Sequence, residues 1–123
     1  DVFLGVSGPH IATAEDIRRM AEKPIVFAMA NPTPEISPEE AQKGGAYVIA
    51  TGRSDYPNQV NNSLAFPGIF KGALENRVRR ITDDMKLKAA YAIAGLVKKP
   101  SREHIVPDMF DKRLARAVAK VIK

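Results

Sequence analysis

Ile25-Val26-Phe27-Ala28-Met29-Ala30 is an unbroken apolar run set between Pro24 and the corner Asn31-Pro32. A strand without apolar–polar alternation is buried on both faces, the habit of parallel sheets covered by helices. The flanks agree with that. Upstream, Val2 to Val6 is a short apolar run stopped by Gly5, Ser7, Gly8 and Pro9, which predicts a buried strand running into a turn. Thr13 caps a predicted helix over residues 14–22, with Glu15 and Asp16 at the positive end of its dipole. Ala14, Ile17, Met20 and Ala21 recur at 3–4 spacing, so one face of it packs on a sheet. Downstream, Ser37-Pro38-Glu39-Glu40 is a helix start with Ser as N-cap and Pro at the first turn. Gly44-Gly45 closes that helix, and Ala46-Tyr47-Val48-Ile49-Ala50-Thr51 predicts a third strand.

The order β-α-β-α-β implies right-handed crossovers and a parallel sheet. The fold class expected is α/β, half of a Rossmann-like doubly wound parallel sheet followed by C-terminal helices. In such a sheet the loops after the carboxyl ends of the strands form the ligand crevice. The loops after Val6, Ala30 and Thr51 should therefore open on one edge. The rest of the chain reads as helical. Residues 66–78 carry Phe66, Ile69, Phe70, Ala73 and Leu74 as one apolar face. Thr82 caps a helix over 83–97 that is nearly apolar all round and is expected to be mostly buried. A last helix is expected over 109–122, with Leu114, Ala117, Val118 and Val121 on one stripe.

The 123 residues and 45% apolar content suit one domain's worth of core. With no cysteine, a disulfide framework, a thiolate nucleophile and a Cys-based metal site are all excluded. No apolar run approaches the roughly 18 residues of a membrane span, and no signal-like leader is visible. A cytoplasmic location without membrane insertion is expected. The chain opens on Asp1-Val2-Phe3-Leu4-Gly5, directly in a strand, and reads as a piece of a longer protein. Its net charge of +5 is uneven, with 5 Lys/Arg against 8 Asp/Glu in residues 1–70 and 14 against 6 in residues 71–123. The basic residues are scattered through helical periodicity and not clustered with aromatics, so solvated helix faces are expected and nucleic acid is not.

Two polar corners follow predicted strands. One is Asn31-Pro32-Thr33-Pro34; the other lies inside the long connection from Gly52 to Gly68, which carries Asn58, Asn61 and Asn62. That connection exceeds the usual loop of roughly 2–6 residues, and long ordered loops are where binding groups concentrate. Asn before Pro is commonly a turn former, and Asn ahead of a helix is commonly an N-cap. An amide can also donate to a carboxylate and accept from a hydroxyl without adding charge, which is what a small hydroxy acid requires. Helix N-terminal N–H groups after Asn62 would favour an anion further. Gly5-Val6-Ser7-Gly8 lacks the G-x-G-x-x-G spacing of a dinucleotide loop. His10 and His104 stand alone near Pro-containing turns and read as structural. No set of His, Asp and Glu has metal-ligand spacing.

Ala28-Met29-Ala30-Asn31-Pro32-Thr33-Pro34-Glu35-Ile36 and the run from Ala50-Thr51-Gly52-Arg53-Ser54-Asp55-Tyr56-Pro57 through Asn58-Gln59-Val60-Asn61-Asn62-Ser63-Leu64-Ala65-Phe66-Pro67-Gly68-Ile69-Phe70 resemble the NAD(P)-binding domain of malic enzymes, especially prokaryotic ones. Asp1-Val2-Phe3-Leu4-Gly5-Val6-Ser7-Gly8-Pro9 is similar to the same family's strand and cofactor loop. The resemblance covers about residues 1–98, the C-terminal half of that domain, with 99–123 as a C-terminal helical extension. It implies oxidative decarboxylation of malate to pyruvate and CO2, with NAD or NADP and a divalent metal, Mg or Mn. It implies substrate contacts for Asn31 and for Asn61 or Asn62, and cofactor contacts for Val6, Ser7, Gly8 and Asn31. The family's catalytic Tyr and Lys, its acidic metal ligands and its Gly-rich loop lie upstream of this stretch. No catalytic residue and no metal ligand is therefore expected in this chain; Tyr56 and Lys71 do not take those roles. The partners implied are the N-terminal part of the same enzyme and further copies in a homo-oligomer. Two alternatives stand beside this reading. One is a half-domain of a related NAD(P)-dependent dehydrogenase, and the other is a non-enzymatic basic interaction module.

Overall fold

A computed structural model describes all 123 residues, which form two compact units. The first comprises Asp1–Val60 with Ser101–His104, and the second Asn61–Pro100 with Ile105–Lys123. In the first unit the order is β1 (Val2–Gly5), α1 (Ala14–Arg18), β2 (Ile25–Ala28), α2 (Pro38–Lys43) and β3 (Val48–Thr51). The three strands make one parallel sheet in the order β1-β2-β3. Gly5 is paired with Ala28, and Ala28 with Thr51, so the strands end flush and their three loops leave from one level.

The caps read from sequence form as expected. Thr13 accepts the Asp16 N–H while Asp16 accepts the Thr13 N–H, a reciprocal capping box. Ser37 accepts the Glu40 N–H ahead of Pro38. Several element ends differ from expectation: α1 stops at Arg18 and all three strands are shorter, while Gly44 caps α2 as expected, with Gly45 following at φ +94°. Gly44 is required by packing. A Cβ there would lie 2.7 Å from the Ala14 carbonyl oxygen, so α1 and α2 could not approach as they do.

Both helices pack on one side of the sheet, where Ala12, Ile17, Ala41 and Ala46 close over Val26 and Ala28, flanked by Phe3 and Ile49. The other face is unevenly covered. Val48 and Ala50 are buried, Ile25 and Phe27 half-buried, and Val2 and Leu4 on β1 stay 60% and 63% exposed. The expected burial of β1, and of β2 on both faces, is thus corrected, because both crossovers place their helices on the same side.

The second unit holds a 3-10 turn (Asn62–Leu64), α3 (Phe66–Glu75), α4 (Asp83–Ala94) and α5 (Leu114–Ala119). Its core joins Leu64, Ala89, Leu114, Val118 and Ile122, with Ile69, Ala73, Met85 and Ile93 against them. Gly68 and Gly72 let α3 lie directly on α5. That contact chooses the buried side of α3. Ile69 and Ala73 turn inward, while Phe66, Phe70 and Leu74 form an exposed stripe, 48%, 63% and 80% open respectively. Asn76 ties the far end, donating to the carbonyls of Gly72 at 3.1 Å and Ile122 at 2.8 Å.

The expectation of a mostly buried α4 fails. Thr82 does cap it, accepting the Met85 N–H, but only Ala89 is buried and Leu87 and Tyr91 are exposed. Its alanines have little apolar surface to drive burial. Its first turns instead carry Lys86–Asp83 and Lys88–Asp84 pairs on an open face. The last helix also begins later than expected. Asp111 accepts the Arg113 backbone N–H at 2.8 Å and its guanidinium, a local turn that holds the chain out of helix until Leu114. No helix of the chain is long and apolar enough to cross a membrane.

The α3–α5 contact predicts the effect of one methyl group. A Cβ at Gly68 would sit 2.8 Å from Val118 Cγ1 and 2.9 Å from the Ala115 carbonyl oxygen. The helix-propensity gain of Gly→Ala is at most about 1 kcal/mol, and overpacking costs roughly 1–3 kcal/mol. Gly68→Ala should therefore lower stability in chemical denaturation; unchanged or raised stability would show that α5 yields.

Candidate functional site

Three loops leave the carboxyl edge of the sheet in the first unit. The loop after β1 carries Val6, Ser7 and Gly8. Val6 is exposed, and a Cβ at Gly8 would meet nothing within 4 Å, so the loop has an open face. The loop after β2 carries Asn31, whose peptide bond to Pro32 is cis. Asn31 is exposed, and its amide makes no internal side-chain hydrogen bond. The turn-former role open to it in the sequence is thus not taken by its side chain here.

One buried residue joins those two loops. Glu35 has no exposed surface. Its Oε1 accepts the Ser7 N–H at 2.7 Å and the Ser7 hydroxyl at 3.3 Å, and its Oε2 accepts the Ala30 N–H at 3.0 Å. Its backbone carbonyl accepts from Ile11 and Ala12. Burial pushes the carboxyl pKa up, but the N–H groups of Ser7, Ala30 and Glu35 itself and the Ser7 hydroxyl outweigh it, and the net shift is downward. Glu35 was not singled out in the sequence. A charged residue between Pro34 and Ile36 reads as a solvated corner, and the one signal is Gly5, whose missing side chain has no reason visible in one dimension.

The loop after β3 is held by its own polar groups. Arg53 grips Asp55 through two hydrogen bonds, of 2.8 and 2.7 Å, and lies 5.6 Å from the centre of the Tyr56 ring. The Tyr56 hydroxyl donates to Glu39 at 2.9 Å, which raises the tyrosine pKa. Asn58, nearly buried and at φ +55°, donates to the carbonyls of Ile49 and Arg102. Arg102 in turn donates to the carbonyl of Tyr47 at 2.8 Å and stacks on its ring. These contacts cover the outer edge of β3, beside a cavity of about 510 Å³ lined by Glu39, Tyr47, Tyr56 and Arg102 among others. None of the residues expected to bind substrate or cofactor lines it.

Asn61 and Asn62 belong to the second unit. Asn61 is the N-cap of the 3-10 turn, its Oδ1 accepting the Ser63 N–H at 3.0 Å. Asn62 begins that turn, is exposed, and makes no internal side-chain hydrogen bond. No three His, Cys, Asp or Glu side chains gather anywhere in the chain, so these residues by themselves offer no ligand set for a divalent ion.

This geometry has close counterparts among known proteins. The family described as "Malic enzyme, NAD binding domain" matches residues 1–123. The bifunctional malic/malolactic enzyme of Bacillus subtilis is 56% identical over 99% of this chain, which spans 30% of its length. The NADP-dependent malic enzyme of Halomonas elongata is 47% identical over 99% of the chain and 33% of its own. Among solved structures, the NAD-dependent malic enzyme of Thermotoga maritima superposes with a TM-score of 0.93 at 51% identity, over all of this chain and 32% of that one. The chain thus spans about a third of the length of these relatives. A chain with a parallel sheet of flush carboxyl ends, matched along its whole length at such identity, belongs to the malic enzyme family, within its NAD-binding domain, and has a Rossmann-like fold.

Proposed function

We propose that this domain serves the oxidative decarboxylation of malate to pyruvate and CO2 with NAD or NADP, in the cytoplasm, as part of a homo-oligomeric enzyme. On this reading residues 1–98 are the C-terminal half of the NAD(P)-binding domain, and residues 99–123 are its helical extension. The proton-transfer pair and the ligands of a divalent Mg or Mn come from the N-terminal part of the same enzyme. Held beside Val6, Ser7, Gly8 and Asn31, the nicotinamide would supply the hydride acceptor for the malate C2.

What this chain contributes is orientation. Val6, Ser7 and Gly8 flank the cofactor, and Asn31 binds both cofactor and substrate. The observation that carries this is the pairing of an exposed, internally unbonded Asn31 amide with an open Gly8 loop, both leaving one sheet edge. A neutral amide can hold a carboxylate or hydroxyl without adding charge, which is positioning and not proton transfer. Of the other two asparagines, Asn62 is the better substrate contact, because the Asn61 oxygen is already taken by the Ser63 N–H. The open apolar stripe Phe66-Phe70-Leu74 supports association with the rest of the enzyme or with another copy. No observation favours the basic-module alternative, since its cations are scattered along the helices and not gathered into one patch, and some are paired there, as in Lys71–Glu75 and Lys88–Asp84.

Substitution in the intact enzyme separates the roles. Asn31→Ala and Asn62→Ala should each lower kcat/KM for malate about ten- to a hundred-fold, the effect of losing a hydrogen bond to a charged oxygen, roughly 1.5–3 kcal/mol. Asn61→Ala should cost about 1 kcal/mol of stability as a lost cap and leave kcat/KM nearly intact. If Asn61→Ala carries the kinetic loss and Asn62→Ala only the stability loss, the assignment is reversed. If all three leave kinetics unchanged, the asparagines are structural.

A further inference from the structure

We infer that Glu35 is the positioning residue that sets the Ser7 cofactor loop and the Asn31 corner against one another. The inference rests on the proposed reading of that edge. Three donors converge on one point: the N–H groups of Ser7 and Ala30 and the Ser7 hydroxyl. Ser7 follows β1 and Ala30 follows β2, so a single side chain fastens the ends of two neighbouring strands just where their loops begin. Only a carboxylate meets that demand. It offers two oxygens, accepts on both and donates on neither. A carboxamide of the same size would turn an NH2 group toward one of the two backbone N–H groups and leave it unsatisfied.

The carboxylate has no cation paired with it, so its bonds to these donors are what make its burial tolerable. Room for it comes from Gly5. A Cβ there would stand 2.7 and 2.8 Å from the two carboxyl oxygens, closer than atoms can approach. Gly5, Ser7, Ala30 and Glu35 therefore form one device, with a missing side chain on β1 and a buried anion under both loops. Because Asn31 directly follows Ala30, movement of that anchor moves the amide. Glu35 touches neither substrate nor cofactor on this account and acts through Ser7 and Asn31.

Two variants of the full-length enzyme test this, with Val118→Ala in the second unit as a control for lost stability alone. Glu35→Gln removes one anchor at constant size, and Gly5→Ala displaces the carboxylate without removing its charge. Dissociation constants for NADH and NADPH are read by nucleotide fluorescence, and KM and kcat for malate by steady-state kinetics, all well below each variant's melting temperature. Both site variants should weaken the preferred nucleotide and raise the malate KM by about ten-fold, while Val118→Ala shifts neither. Unchanged constants in both site variants, with only a lower melting temperature, would overturn the inference, as would an equal shift in Val118→Ala. Failure of both site variants to fold would assign Glu35 to the fold alone and overturn it too. A wild-type enzyme that binds a nucleotide but does not oxidise malate would sink the functional reading and leave the nucleotide constants to judge Glu35. One that binds neither nucleotide would sink both.

Discussion

A buried carboxylate with no cation beside it is an expensive group to keep, and the first unit is arranged so that it can be kept. Glu35 holds its charge because the chain ends of β1 and β2 turn two backbone N–H groups and a hydroxyl onto it. Those donors would otherwise be orphans where the ladder of the sheet stops. One side chain thus satisfies the last donors of two strands and fixes where both loops begin. The sign of its pH dependence follows. Its folded pKa lies below the ordinary value of 4.5, so its stabilisation is fully present above that value and is lost as pH falls through the lower, folded one.

The rest of the edge is held by other contacts. Flush register at Gly5, Ala28 and Thr51 brings three loops to one level, but they are built differently. The first two share Glu35. The third is stiffened from within by the Arg53–Asp55 fork, by Tyr56 on Glu39 and by Asn58 on two carbonyls. The polar residues of that third loop are mostly spent on structure. Of the asparagines expected to bind, Asn31 in the first unit and Asn62 in the second keep exposed, internally unbonded amides, each beside a residue that does structural duty: Pro32 in the cis bond and Asn61 as the cap.

The sheet half was legible because its signals are local. Thr13 and Ser37 cap, Pro38 starts a helix, Gly44-Gly45 stops it, and each acts on neighbours within a few residues. The helical half was less so. Which side of α3 is buried depends on Gly68 and Gly72 meeting Val118, Ala119 and Ile122, some fifty residues away, and apolar periodicity alone favoured a face containing Phe66, Phe70 and Leu74. α4 misled for a related reason, since a run of alanines looks apolar in sequence yet exposes little to bury. At the site, the Asn corners could be found from residue type, but Glu35 could not. Its partners are 28 and 5 residues away, and a glutamate in a Pro-rich corner looks solvated.

Hydrogen exchange at the amides of Ser7 and Ala30 in the intact protein at neutral pH measures the Glu35 anchor directly. Both sit at loop starts where fast exchange is the ordinary expectation. With the carboxylate accepting from each, they should exchange as slowly as the Met29 amide, which bonds the Gly5 carbonyl at 3.0 Å. Exchange of either amide at the rate of an unstructured peptide, while Met29 stays protected, would contradict the account.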